Sequence, residues 1–133
     1  MKVSEYLAKV EPARRKAMAA IHGIILETNP QVTPVMGKMM GKEMIVYNLG
    51  KFFVYGLASL KGHMTLHAMP MCCAPPVRAK YARLLPKAQF QVGCINFKKA
   101  DDAPLEVARL LLAECAQVDM AVVMEKYMRK KEM

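Results

Sequence analysis

His63, His67, Cys72 and Cys73 stand close together in this 133-residue sequence and are its residues best equipped for chemistry. Imidazole nitrogen and thiolate sulfur form a soft ligand set of the kind that zinc and other transition metals take. On an extended strand His63 and His67 point the same way but lie about 13 Å apart, too far to share one ion without a bend. His67 with Cys72 and Cys73 is the set that a chain curling back beyond Pro70 would assemble, although adjacent cysteines are not the usual chelating spacing. The same residues also read as half-buried thiols beside a strand-face imidazole. For nucleophilic catalysis, Cys72 or Cys73 would need its pKa lowered by the helix start at Pro75 and by nearby cations, with His63 or His67 as base. No nucleophile elbow, phosphate loop, H-E-x-x-H or framing pair of carboxylates accompanies them. A binding function is therefore expected ahead of an enzymatic one.

Charge supplies the second constellation. The formal net charge is +9, and it is unevenly placed. Residues 30–100 hold Lys38, Lys42, Lys51, Lys61, Arg78, Lys80, Arg83, Lys87, Lys98 and Lys99 against Glu43 alone, while the two ends of the chain cancel. Such a field favours an anionic partner, either a small molecule or an acidic protein surface; the alternative is a merely solvated basic surface. If the field is functional, Lys61, His63, Arg78, Lys80, Arg83 and Lys98 are expected to gather at the His-bearing face of a hairpin or its rim and to hold an anion by charge-assisted bonds. Nucleic acid meets the same charge requirement, but no recognised motif for it is present, such as the aromatic signature of an RNA-binding sheet.

The elements that must position these residues centre on a hairpin. Residues 52–60 and 64–69 read as strands, with Gly62 supplying the positive φ of the reversal between them and Pro70 ending the second. Met64, Leu66 and Ala68 share one face; His63, Thr65, His67 and Met69 share the other. Before the hairpin, Ser4 is the expected cap of a short helical lead-in ending near Val10, and Pro12 opens a longer helix. Its stripe of Ala17, Met18, Ile21, Ile24, Ile25 and Thr28 runs down to Asn29-Pro30, with His22 as a partly buried structural histidine. Residues 35–47 give two short strands parted by Gly41-Lys42, and residues 48–51 a turn. After the hairpin, Val77, Tyr81, Leu84 and Leu85 mark a helix stopped by Pro86. Residues 93–98 form a last strand with Ile95 and Phe97 on one face. Asp101 or Asp102 caps a helix over 105–117 that is apolar nearly all round and so must be covered on more than one side. A final helical extension covers 118–133.

Length and a 54% hydrophobic content describe one folded domain with a single core. The thirteen methionines read as filler for irregular gaps in it. No apolar run is long enough for a membrane span, and the first residues lack the apolar stretch of a signal peptide, so a cytoplasmic location with reduced thiols at Cys72, Cys73, Cys94 and Cys115 is expected.

The order of elements, with Tyr6-Leu7, Asn29-Pro30, Gly37, Lys61-Gly62-His63 and the strand Gly93-Cys94-Ile95-Asn96-Phe97-Lys98, resembles the YdhG-like family of small domains of unknown function, over roughly residues 3–115. The resemblance implies an α+β sandwich of frataxin-like type, an antiparallel sheet of about five strands with helices packed on one face. One branch of that family looks like an iron chaperone working through acidic side chains. Here the sheet segment has ten cations and one carboxylate, and Met36 and Met39-Met40 stand where that family has Trp and Pro. The function expected is binding of an anionic small molecule or acidic partner, with metal handling through His67, Cys72 and Cys73 as the alternative.

Overall fold

The computed structural model describes residues 2–39, 41–91 and 93–125. In chain order the elements are α1 (Val3–Lys9), α2 (Pro12–Thr28), β1 (Thr33–Met39), β2 (Lys42–Leu49), β3 (Phe52–Ser59), β4 (Met64–Ala68), α3 (Met69–Cys72), α4 (Pro75–Leu84), β5 (Gln89–Phe90), β6 (Cys94–Phe97) and α5 (Leu105–Ala116). The strands form one antiparallel sheet in the order β1-β2-β3-β4-β6-β5. It has six strands rather than about five. The extra one, β5, is two residues long, too short for its alternation to be read from sequence.

Alternation builds the core. Leu57 lies opposite Ile45 and Leu66, Leu66 opposite Ile95, and Met64 opposite Phe97, and all six are buried. Met18, Ile21 and Ile25 of α2 and Leu111, Leu112 and Cys115 of α5 join the same cluster. The two helices pack against each other and share this face of the sheet. The fold is thus α+β, with helices on one face. Residues 120–125 are helical as well, and Val123 is buried; the rest of the expected extension, residues 126–133, lies outside the described residues.

A bulge in β3 decides what the other face carries. Tyr47 pairs with Tyr55 but Asn48 pairs with Phe53, so Val54 is the extra residue. Strict alternation from Tyr55 would send Phe53 into the core; the extra residue turns it to the opposite face instead. Phe52, shifted likewise, packs against the core with Leu49.

Several local expectations are corrected. Gly62 does not adopt positive φ, whereas Gly41 (79°) and Gly50 (63°) do, at the β1–β2 and β2–β3 turns. The β3–β4 reversal is closed by the Leu60 N–H donating to the His63 carbonyl. Its outer carbonyls are also held from outside, by the buried Arg14 of α2, whose guanidinium donates to Ser59 Oγ (3.1 Å), Leu60 O (2.6 Å) and His63 O (3.3 Å). A reversal tied in this way needs no left-handed glycine. β4 stops at Ala68, and Pro70 sits in the first turn of α3, where its missing N–H costs nothing. Lys2, not Ser4, is the N-cap of α1, and Glu5 reaches back to the Lys2 N–H. Asp102 accepts from the Lys99 N–H, leaving Pro104 as the N-cap of α5. Leu84 is 47% exposed, off the α4 stripe, and α5 leaves Leu105 and Leu110 exposed rather than being covered all round.

Candidate functional site

The register fixes which side chains share the face away from the helices. Val46 stands beside Gly56, Gly56 beside His67, and His67 beside Cys94; one step along, Ala58 faces Thr65 and Thr65 faces Asn96. Small residues of this face, Gly37, Gly56 and Ala58, alternate with Met44 and Val46, and Gly56 and Ala58 are buried beneath their neighbours. A Cβ at Gly56 would come within 2.9 Å of both Met44 Sδ and Phe53 Cζ, and one at Gly37 within 3.2 Å of the Val46 methyls. The Phe53 ring therefore lies over Gly56, and its centroid is 6.3 Å from that of His67 at an interplanar angle of 66°. Val35, Met44, Val46, Phe53 and Ala58 are not part of the core cluster. Val35 is 41% exposed, and Phe53, His67, Cys94 and Asn96 are half-buried.

One end of this sheet is basic. The β1–β2 turn brings Lys38 and Lys42 there, since Met39 pairs with Lys42. Ser59 pairs with Met64 and Met64 with Phe97, so the turn carrying Lys61 and His63 and the exit of β6 with Lys98 and Lys99 lie at the same end. From β2 to β6 is three strand spacings, about 15 Å. All five lysines are exposed, and none of them is in an ion pair among the described residues. The nearby carboxylates are Glu43, across from Lys38, and Asp101 and Asp102 after β6.

The expected anion set is therefore divided. Lys61, His63 and Lys98 come together, joined by Lys42, Lys38 and Lys99, which sequence reasoning counted but did not place. Arg78, Lys80 and Arg83 do not join them: they ride on α4, whose Tyr81 and Leu85 are in the core beneath the opposite face and which packs on α5. Lys80 Nζ pairs with Glu114 Oε1 at 2.7 Å, and this contact raises the lysine's pKa and lowers the carboxylate's. The pair closes a cleft of about 400 Å³ lined also by Val77 and Val118. A second groove of about 590 Å³, between α2 and α5, is closed by Arg109 and Glu27 at 2.8 Å. In both helical grooves a cation is paired with a carboxylate, and the second groove holds Glu106 besides; the lysine end of the sheet carries a positive excess.

The metal set is not assembled either. His67 faces Cys94 rather than Cys72 or Cys73, and the described residues contain no group of three or more His, Cys, Asp or Glu side chains placed to hold a metal ion. The Cys72 sulfur packs toward Gly93, 2.9 Å from where a Cβ would stand, because α3 turns the chain at the end of β4 instead of curling it back along the strand. None of the four cysteines is in a disulfide. Burial raises the pKa of Cys94, with Cys72 adding to the effect and Thr65 opposing it, and pushes that of Cys115 up to about 12; neither is an activated thiolate. Burial lowers the pKa of His67, so its ring is neutral at pH 7. The described residues contain no helix long and apolar enough to cross a membrane.

A scan against protein-family models finds no match, and a search of curated proteins finds none either. Among solved structures, the chain is similar to a DUF1801 family protein, YdhG, from Bacillus subtilis, with a TM-score of 0.60 and 14% identity over 84% of each chain. At that identity the likeness is one of fold: this α+β sheet with its helical layer is YdhG-like.

Proposed function

We propose that this chain is a non-enzymatic binding protein that takes an anionic small molecule or an acidic partner at the lysine-rich end of its sheet. The observation that carries the reading is the gathering of Lys38, Lys42, Lys61, Lys98 and Lys99 on three neighbouring turns and strand ends, with no ion-pair partner among the described residues. Five cations against Glu43, Asp101 and Asp102 leave a positive excess that costs self-repulsion, and an anion bridging the lysines reduces that cost while forming charge-assisted hydrogen bonds. The same field opposes a bare cation such as iron at this surface. His63, in the same turn as Lys61, adds an imidazole at the rim.

The test is a calorimetric titration with tripolyphosphate and with ATP at 20 and 150 mM salt. The wild-type protein is expected to bind both, more weakly at the higher salt. The triple change Lys42→Gln, Lys61→Gln, Lys98→Gln should abolish binding, while Arg78→Gln with Arg83→Gln should leave it within twofold. Absence of binding at 20 mM salt, or equal loss in the two variants, sinks the reading.

A further inference from the structure

We infer that the ligand of this face is a single-stranded nucleic acid, its phosphates held by the lysine arc and its bases laid on Phe53 and His67. The inference rests on the anion-binding reading above and adds the chemistry of the face next to the charge. A phosphate or a carboxylate cluster alone would need only the lysines. The face also carries an aromatic ring, that of Phe53, which lies over the buried Gly56. That ring reaches the surface through the Val54 bulge, and a neutral imidazole stands against its edge. The Phe53 ring reaches over Gly56, three residues short of the end of β3 at Ser59, about 10 Å at the strand rise, with the lysine-bearing turn beyond. A chain of several nucleotides running along the strands spans that distance. Asn48 and Asn96 on the same face supply amide donors and acceptors for base edges without adding negative charge. Stacking tolerates any base, so recognition of this kind is expected to be indifferent to sequence.

The proposal is tested by fluorescence anisotropy with a labelled twelve-nucleotide oligo-dT, alongside a chain of the same length made of abasic sites and a duplex of the same length. An oligonucleotide carrying 2-aminopurine reports stacking by loss of its emission. If four phosphates are neutralised, affinity for oligo-dT should fall about fiftyfold between 50 and 200 mM salt, from a slope near 0.7 per phosphate on a single strand. Phe53→Leu, which keeps an apolar side chain and removes the π face, should weaken oligo-dT about tenfold and abolish the 2-aminopurine signal. It should leave the abasic chain unaffected. Gly56→Ala should act in the same direction, because its methyl displaces the far ends of Phe53 and Met44 without touching backbone. Melting curves of both variants establish that they are folded. If the abasic chain binds as tightly as oligo-dT and Phe53→Leu changes nothing, the nucleic-acid inference is overturned while the anion site stands. A duplex bound more tightly than the single strand overturns it too. Failure of every polyanion to bind at low salt overturns both.

Discussion

Arg14 shows how one side chain can fix a distant turn. Its guanidinium lies on α2, 8% exposed, pairs with Glu11 at 3.0 Å, and donates to a hydroxyl and two carbonyls of the β3–β4 reversal. Hydrogen bonds from a charged donor contribute more than neutral ones, and removing the donor strands the buried acceptors. Arg14→Met is therefore expected to cost about 2–4 kcal/mol in urea unfolding. Arg14→Lys should recover only part of that, since a point charge cannot reproduce the planar fork. Sequence patterning does not reveal this role, because a cation close to Pro12 carries no mark of a partner 45 residues on. His22 was legible as a structural residue, and its Nδ1 meets the buried Tyr47 hydroxyl at 2.7 Å. Burial holds His22 and His67 below the ordinary histidine value in the folded state. Near and below pH 6.5 the unfolded chain binds the extra protons, so stability is complete above about pH 6.5 and declines as pH falls toward the folded values. The urea midpoint should thus be flat from pH 8 to 7 and drop between 6.5 and 5, and His22→Gln should shrink the drop; an unchanged profile in that variant would place the dependence elsewhere.

At the scale of elements, the strongly periodic segments were readable and the irregular ones were not. The α2 stripe and the strand pairs around Gly41, Gly50 and residues 60–63 follow from period and turn chemistry. The bulge at Val54 does not, because an extra residue leaves no trace in a run as uniformly apolar as Phe52-Phe53-Val54-Tyr55, yet it sends Phe53 to the outer face. Nor does the environment of α5, where apolar content exceeds what the fold buries. Leu111 is 1% exposed and packs in the core with α2, while Leu110, one step round the helix, is 57% exposed. Leu111→Ala is expected to destabilise by about 2–5 kcal/mol, the transfer cost plus a cavity. Leu110→Ala should change stability by no more than about 0.5 kcal/mol. Equal effects in chemical denaturation would mean that α5 is not seated as described.

For the molecule as a whole, the sequence located its charge along the chain but not in space. It placed the entire excess in residues 30–100, and the topology then sent Arg78, Lys80 and Arg83 to the helical layer and five lysines to one end of the sheet. The division depends on pairings across four strands, above all β4 with β6, which no local pattern encodes. The arrangement also has a consequence for stability that is independent of any ligand. Lys38, Lys42, Lys61, Lys98 and Lys99 converge on folding and separate on unfolding, so their mutual repulsion weighs on the folded state alone. At low ionic strength the screening length is about 30 Å, wider than the arc, and near physiological salt it is about 8 Å, comparable with the spacing between neighbouring lysines. The melting temperature should therefore rise as sodium chloride is increased from 10 to 150 mM, an increase attributable to screening rather than to exclusion of salt from the surface, which sets in at higher concentrations. Replacing Lys61 and Lys98 with Gln should raise the melting temperature at 10 mM and reduce its dependence on salt. Replacing Lys80 with Gln should do neither, because that cation already faces Glu114. If the Lys61 and Lys98 double variant melts lower than the parent protein at 10 mM salt, the lysines are not crowded together and the assignment of one basic end to the sheet is wrong.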